Sequence, residues 1–139
     1  MKKRVSDYPL AETQPDNVKG KRGKSLNDIT LDAVLSGSVG MDDLGITSAN
    51  LNSQAESARE AVRPTLALNF ERAAELVDVP QDFIMQIYEL LRPGRATSKQ
   101  ELLQAARTFR QAYKAERIAT FLEEAADTYE ERGLFTLRF

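Results

Sequence analysis

Four glutamates are the residues of this sequence best suited by type and spacing to do chemistry. Glu71 and Glu75 lie four residues apart and Glu123 and Glu124 are adjacent, so each pair could offer carboxylates to a divalent metal. Carboxylate sites in helical bundles usually add Glu-x-x-His motifs, but the chain contains no His and no Cys. The commonest general base, the commonest metal ligand and thiolate chemistry are therefore excluded. We interpret Glu71 with Arg72, and Glu123 with Arg117, as solvated helix faces. We predict no catalytic, cofactor-binding or metal-binding residue on this chain.

Two other segments match binding motifs only in composition. The glycine-rich turn Gly37–Gly40 lacks the Gly-Lys-Ser/Thr ending of a phosphate-binding loop. The basic segment Lys19–Lys24 lies in residues 1–24, which carry seven Lys or Arg against three acids, whereas the remainder carries twelve against eighteen. A basic arm on an acidic body leaves a stand-alone helical adaptor or nucleic-acid-binding protein as an alternative, although no helix presents a basic face with aromatic stacking residues. Asp42 and Asp43 are interpreted as a helix-start device near the positive end of a short helix.

The length and hydropathy of the chain limit its class and location. A chain of 139 residues has the size of one ordinary domain. No apolar run approaches the roughly 20 residues that a membrane-spanning helix requires. The charged start Met1–Arg4 is not followed by the apolar segment of a secretory signal. We therefore expect a cytoplasmic protein that does not enter a membrane.

The first 27 residues show no periodicity of 2 or 3.6 and are predicted to form an extended N-terminal arm. The arm carries a compact apolar anchor, Tyr8-Pro9-Leu10, that a simple solubilising tail does not require. Because so short an arm cannot build a core of its own, we expect the anchor to dock on another surface. Residues 28–139 are predicted to form one helical domain.

Helical spacing and capping residues locate the elements of this domain. A short helix carries Leu31, Val34 and Leu35 on one face and ends at Gly37. Thr47 or Ser48 caps the first long helix, whose alanine-rich stripe predicts close approach of a partner helix. Pro64 lies inside that pattern and predicts a kink or a break; because the stripe stays in phase across it, the sequence favours a kink.

The second half of the chain contains two further predicted helices. The apolar residues of 81–91 cover a wide arc, so that helix is predicted to be mostly buried. Ser98 and Glu101 form a capping box at the start of the last helical stretch. Its two apolar stripes lie roughly 140° apart at 100° per residue, so the helix either breaks near 114–116 or faces its own domain with one half and a partner with the other. The predicted fold class is all-α, a small open bundle of three to four helices with an extended arm.

Four ordered blocks of this sequence resemble the small (gamma) subunit of coenzyme-B12-dependent diol and glycerol dehydratases. The resemblance covers nearly the whole chain, and the blocks lie at the spacing of that family. They are the residues 6–11 (SDYPLA), residues 29–37 (ITLDAVLSG) followed by Ile46-Thr47, residues 69–93 (NFERAAELVDVPQDFIMQIYELLRP), and Ser98 with Glu101-Leu102-Leu103, Phe121 and Glu124-Ala125-Ala126.

The resemblance implies a non-catalytic subunit of an enzyme that converts 1,2-diols or glycerol to an aldehyde and water with adenosylcobalamin. It implies a dimer of heterotrimers in which the large and medium subunits hold substrate and cofactor and the small subunit packs on the large one. The choice between glycerol and 1,2-propanediol would belong to the large subunit. It implies no nucleic-acid partner. We predict that the partner interface includes Tyr8, Pro9, Leu10, Leu31, Val34, Leu35, Ile118, Phe121, Leu122 and Tyr129.

Three features depart from the family pattern. Pro64 falls where relatives have no proline, and the ending Leu134–Phe139 is apolar where their tails are polar. Some members carry an N-terminal amphipathic extension that directs the enzyme into a bacterial microcompartment, whereas this chain begins almost at the Asp7–Leu10 block. We therefore expect either that another subunit carries the targeting signal or that the enzyme is free in the cytoplasm.

Overall fold

A computed structural model of the chain describes residues 7–136. The basic start Met1–Arg4 and the end of the apolar tail, Leu137–Phe139, lie outside these residues. Two 3₁₀ turns occur at Pro15–Asn17 and Leu26–Asp28. The α-helices are α1 (Leu10–Thr13), α2 (Leu31–Leu35), α3 (Met41–Leu44), α4 (Ser48–Glu60), α5 (Pro64–Leu76), α6 (Gln81–Leu91), α7 (Lys99–Tyr113) and α8 (Glu116–Glu131).

The predicted all-α class is confirmed. Across residues 7–136 the extended pairing is limited to an isolated antiparallel bridge between Lys19 and Ser25. Among the described residues five helices exceed ten residues, which is more than the three to four predicted, because both uncertain positions prove to be breaks. The chain divides into two compact units, an N-terminal unit Met1–Val77 and a C-terminal unit Asp78–Phe139. Residues 7–27, predicted as an arm, belong to the N-terminal unit.

Helices α4 and α5 form a hairpin in the N-terminal unit. Proline has no backbone N–H to donate and its ring crowds the preceding turn, so Pro64 begins α5 instead of continuing α4. The predicted kink is therefore wrong, and the reversal passes through Val62 in the left-handed conformation, with φ of 58°. The alanine stripe serves its own hairpin: Ala55 and Ala67 are fully buried and pack with Ala58, against which Phe70 lies.

Side-chain hydroxyls cap the start of α4 and join it to the end of α5. The hydroxyl of Thr47 accepts from the backbone N–H of Asn50 at 3.1 Å, which confirms the predicted cap of α4. Near that end the hydroxyl of Ser48 donates to the carbonyl of Ala74 at 2.8 Å.

Helices α7 and α8 form the hairpin of the C-terminal unit. Lys114 adopts a left-handed conformation, with φ of 54°, and the N–H of Ala115 donates to the carbonyl of Phe109 at 3.0 Å. This break explains the two stripes, because reversal of the chain turns them toward each other and buries Leu102 and Leu122 completely. The predicted capping box is confirmed: the carboxylate of Glu101 accepts from the backbone N–H of Ser98 at 3.1 Å.

Helix α6 is more exposed than its sequence predicts. None of its residues is buried, and Met85 and Tyr88 are exposed. The helix contacts α7 through Phe83, whose ring centroid lies 5.0 Å from that of Phe109 and 5.8 Å from that of Tyr113. One neighbouring helix covers only part of a wide apolar arc, so the prediction of a mostly buried helix is wrong for residues 81–91.

The apolar ending begins by folding back on α8. The N–H of Leu134 donates to the carbonyl of Tyr129 at 2.9 Å, and the ring centroids of Phe135 and Tyr129 lie 6.2 Å apart.

The described helices, from Leu10 to Glu131, include none long and apolar enough to cross a bilayer.

Candidate subunit interface

The described part of the arm is folded against its own unit. Leu10 lies in α1 and is buried, whereas Tyr8 and Pro9 remain exposed. The side-chain amide of Asn50, on α4, donates to the carbonyl of Lys19 at 2.9 Å. The arm is therefore tethered to the helical body by its backbone as well as by an apolar side chain.

Asp43 is the buried charge that holds the arm to α3. Its side chain is fully enclosed, and Oδ2 lies 3.3 Å from Nη1 of Arg22 and 3.7 Å from Nζ of Lys24. The same oxygen accepts from the backbone N–H of Gly40 at 2.9 Å, while Oδ1 has no hydrogen-bond partner among the described residues. Lys24 also donates to the carbonyl of Ser38. Together these contacts join residues 22–24 to the α2–α3 connection.

The electrostatics of this cluster favour the charged carboxylate. The backbone hydrogen bond from Gly40 lowers the pKa of Asp43 below its ordinary value of 3.8, the nearby cations Arg22 and Lys24 lower it further, and burial opposes both. The backbone of the arm also packs closely against α3 at Gly20. A Cβ at this position would lie 2.0 Å from the carbonyl oxygen of Asp43. The sequence analysis interpreted Asp42 and Asp43 only as a helix-start device. The hydrogen bond from the N–H of Gly40 to Asp43 shows that role at the start of α3. The burial of Asp43 was not predicted.

An open groove of about 630 Å³ separates the arm from the body of the N-terminal unit. A second cleft, of about 270 Å³, shares Tyr8 and Gln54 with it, so the two follow one another across the unit. Much of the groove wall is apolar. Its large apolar residues are Tyr8, Leu10, Val18, Leu26, Ile29, Leu44 and Ile46.

The short helices α2 and α3 expose most of their large apolar side chains. Leu31 is 73% and Leu35 76% exposed, and Val34 is 47% exposed. The sequence analysis placed these three residues in the predicted partner interface. It did not include the three exposed apolar residues that follow them in the chain. Those residues are Met41 at 82%, Leu44 at 55% and Ile46 at 52%.

The predicted interface residues of α8 divide between core and surface. Leu122 is fully buried and Ile118 is 8% exposed, so both belong to the hairpin core with Ala119 and Ala126. Phe121 is 37% exposed. Tyr129 is half-buried, and its hydroxyl donates to the carbonyl of Leu91. Of the α8 residues proposed to meet a partner, Phe121 therefore keeps the most accessible side chain.

Two of the four glutamates first considered for metal binding, Glu71 and Glu123, lie in cross-helix ion pairs. Glu71 on α5 lies 2.6 Å from Nη2 of Arg59 on α4, and its side chain is only 14% exposed. Glu123 on α8 accepts from Nη1 of Arg110 on α7 at 2.7 Å, and this contact lowers the pKa of Glu123. The solvated-face interpretation is therefore wrong for Glu71. Across the described ranges, no cluster of three or more metal-ligating side chains occurs.

A further ion-pair cluster closes the open end of the α7–α8 hairpin. Nζ of Lys99, the first residue of α7, lies 2.8 Å from Asp127 and 2.6 Å from Glu130, both on α8. Hydrogen bonds to Asp127 and then Glu130 raise the pKa of Lys99 well above its ordinary value. Lys99, Asp127 and Glu130 thus serve the pairing of α7 with α8.

Comparison with known proteins assigns the chain to a family. A family model described as the dehydratase small subunit matches residues 3–136. The chain is 50% identical over 129 residues to the propanediol dehydratase small subunit of Salmonella typhimurium, an alignment that covers 93% of this chain and 74% of that protein. It is 49% identical, with the same coverage, to the propanediol dehydratase small subunit of Citrobacter freundii. The chain therefore belongs to the family of dehydratase small subunits.

Proposed function

We propose that this chain is the non-catalytic small subunit of an adenosylcobalamin-dependent propanediol or glycerol dehydratase, an enzyme that converts a diol to an aldehyde and water. The observation that carries the proposal is the likeness to propanediol dehydratase small subunits over 93% of the chain. Adenosylcobalamin would be held by the other subunits, and no step of the reaction is assigned to a residue of this chain. The cofactor carries the difficult chemistry and the subunits that bind it orient it. The accessory chain then needs only to support those subunits.

In this proposal the chain packs on the large catalytic subunit and stabilises it, within a dimer of heterotrimers in the cytoplasm. The exposed apolar side chains of the N-terminal unit support a packing role, because large contiguous apolar patches on soluble proteins commonly mark interaction surfaces. Within the predicted set, the accessible residues are Tyr8, Pro9, Leu31, Val34, Leu35 and Phe121.

Co-expression with the large and medium subunits tests this function. The expected result is a complex that contains all three chains after size-exclusion chromatography and that forms aldehyde from 1,2-propanediol or glycerol when adenosylcobalamin is added. Omission of this chain should reduce the soluble yield or the thermal stability of the large subunit. Unchanged assembly, solubility and activity without it would refute the proposal.

The nucleic-acid-binding alternative has lost support. Two of the four basic residues in Lys19–Lys24 are directed at Asp43 within the chain, so the basic segment already has an intramolecular counter-charge. A mobility-shift titration over a salt series tests what remains, because phosphate binding weakens steeply as salt rises. We expect no shift even at low salt.

A further inference from the structure

The two units of the chain differ in the size of the side chains that they enclose. Among the described residues, the largest fully buried side chains are Phe109, Leu102, Leu122 and Asp43. The first three belong to the C-terminal unit, whereas the N-terminal unit contributes Asp43, a charged residue. Burial of a large apolar side chain stabilises a fold, while burial of a charge carries a desolvation cost. The larger stabilisation from burial therefore belongs to the C-terminal unit.

The α4–α5 hairpin of the N-terminal unit is packed mainly with small side chains. It buries Ala55, Ala58 and Ala67, and Phe70 lies only partly buried against them. Alanine loses no rotamer freedom on folding, but it has a single methyl group to bury, so each position removes less apolar area from water than a leucine would. The α7–α8 hairpin, with its leucines and phenylalanine, is therefore the more strongly packed of the two.

Exposed hydrophobic side chains show the same asymmetry. Among the described residues, ten large hydrophobic side chains are exposed in the N-terminal unit and three in the C-terminal unit. The two most exposed, Val62 at 85% and Met41 at 82%, both lie in the N-terminal unit. A hydrophobic side chain that stays in water contributes little of its transfer free energy to folding. The N-terminal unit thus leaves more of its hydrophobic surface without a stabilising role in its own fold.

Each hairpin has closing contacts within its own unit. Arg59 on α4 pairs with Glu71 on α5 in the N-terminal unit. Lys99 on α7 pairs with Asp127 and Glu130 on α8 in the C-terminal unit. Proteins open locally in contiguous cooperative units that often coincide with supersecondary motifs, and a helical hairpin is such a motif. The two hairpins can therefore open at different free energies.

We infer that the two units unfold in separate steps, the N-terminal unit first, through a state in which α7 and α8 are folded and α4 and α5 are open. This order is a property of the chain by itself and does not depend on the proposed function. It gives the lone chain a labile half, because proteases cleave opened backbone. A partner that binds only the folded N-terminal unit would stabilise that half by mass action. A lone chain is thus degraded more easily than a bound one.

Hydrogen exchange of the full chain in rising urea, followed by mass spectrometry of its peptides, tests the order of the two steps. Peptides from α4 and α5 should lose protection at a lower urea concentration than peptides from α7 and α8. Without urea, their exchange should be at least about tenfold faster relative to intrinsic rates, since burial of one large apolar side chain changes an opening equilibrium by about that factor. Loss of protection in both hairpins at one urea concentration, or in α7 and α8 first, would overturn the inference.

Variants of the full chain test whether the two steps are separate. Leu122→Ala removes a fully buried side chain from α8, so exchange in α7 and α8 should become at least about tenfold faster. Exchange in α4 and α5 should stay within about twofold of the unaltered chain. Leu51→Ala, at a buried position of α4, should show the reverse pattern.

Matched controls are available at exposed positions of both units. Leu35→Ala in the N-terminal unit and Met85→Ala in the C-terminal unit should each change exchange in either hairpin by less than about twofold. If Leu122→Ala does not fold, Ile118→Val at a buried position of the same helix replaces it, and its smaller effect should again be confined to α7 and α8. Equally accelerated exchange in all four helices of either variant would show one cooperative unit and contradict the inference.

Limited digestion of the unaltered chain with trypsin detects the same partly unfolded state. The first stable fragment should contain α7 and α8 and should have lost α4 and α5, because cleavage follows the population of the open form. A first stable fragment that keeps α4 and α5 but lacks α8 would refute the proposed order.

Discussion

Nη1 of Arg22 lies 3.3 Å from Oδ2 of Asp43, although the two residues are 21 positions apart in the chain. The pair brings the basic segment of the arm onto the only acid that the N-terminal unit buries among its described residues. Because Gly40 donates a backbone N–H to the same oxygen, one carboxylate joins the arm, the start of α3 and the α2–α3 connection. The arm is thus part of the folded unit and shapes the surface proposed to meet a partner.

Neutralisation of Asp43 should loosen the arm in a pH-dependent manner. The folded pKa of Asp43 lies below its ordinary value of 3.8, first because of the Gly40 hydrogen bond. A group with a lowered folded pKa stabilises the fold above the ordinary value, and that stabilisation is lost as pH falls through the folded value. Asp43→Asn should therefore lower Tm at neutral pH, and its Tm should converge with that of the unaltered chain as pH falls below 3.8.

Melting curves of both chains between neutral pH and acid check this expectation. Asp42→Asn is the matched control, because Asp42 occupies the same turn but is exposed. A Tm difference for Asp43→Asn that stays constant across the acid range would contradict the assignment of the charge contact.

A side chain at Gly20 should disrupt the contact between the arm and α3. A Cβ there would lie 2.0 Å from the carbonyl oxygen of Asp43, which is backbone and cannot move aside cheaply. Gly20→Ala should reduce the free energy of unfolding by about 1–3 kcal/mol, the usual cost of overpacking. Denaturant titration measures it, with Gly45→Ala as control, since a Cβ at Gly45 meets only an ordinary contact at 3.8 Å. Equal stability of the two variants would show that the close approach is absent.

Relief of backbone strain at Val62 should stabilise the chain. Val62 has φ of 58° and is 85% exposed, so it bears a left-handed conformation and contributes little packing. That conformation costs a residue with a Cβ roughly 1–2 kcal/mol, while glycine adds unfolded-state entropy worth about 0.4–1 kcal/mol. Val62→Gly should increase the free energy of unfolding by about 0.5–1 kcal/mol. Val62→Ala keeps the Cβ, so its free energy of unfolding should increase less. A lower free energy of unfolding in Val62→Gly would show that Val62 is not strained.

Substitution of two leucines predicted to meet a partner should change the stability of the isolated chain by very different amounts. Leu122 is fully buried, so Leu122→Ala should cost about 2–5 kcal/mol of unfolding free energy through lost contacts and a cavity. Leu35 is 76% exposed, so Leu35→Ala should change stability by less than about 0.5 kcal/mol. Chemical denaturation of the two variants gives both values. A large effect of Leu35→Ala on the isolated chain would mean that it packs within its own unit.

The residues that sequence reasoning placed correctly are mostly those whose contacts are local. The cap of α4 by Thr47 and the box of Ser98 with Glu101 need partners only three residues away. The kink at Pro64 was predicted wrongly because the apolar stripe stays in phase whether the helix bends or folds back. Likewise, the wide apolar arc of α6 indicates a large buried face only if neighbours exist to cover it, and none of its residues is buried.

The sequence by itself determined the helical class, the N-terminal caps of α4 and α7, the absence of His and Cys chemistry and the family resemblance. These follow from composition, short-range spacing and ordered blocks, which do not depend on how distant segments meet. Only the tertiary structure decided that Asp43 is buried against Arg22 and Lys24, that Ile118 and Leu122 face α7, and that Leu31 and Leu35 face solvent. The reason is that burial of a side chain is set by long-range packing, and the same helical spacing describes a face that meets a neighbouring helix and one that is left exposed.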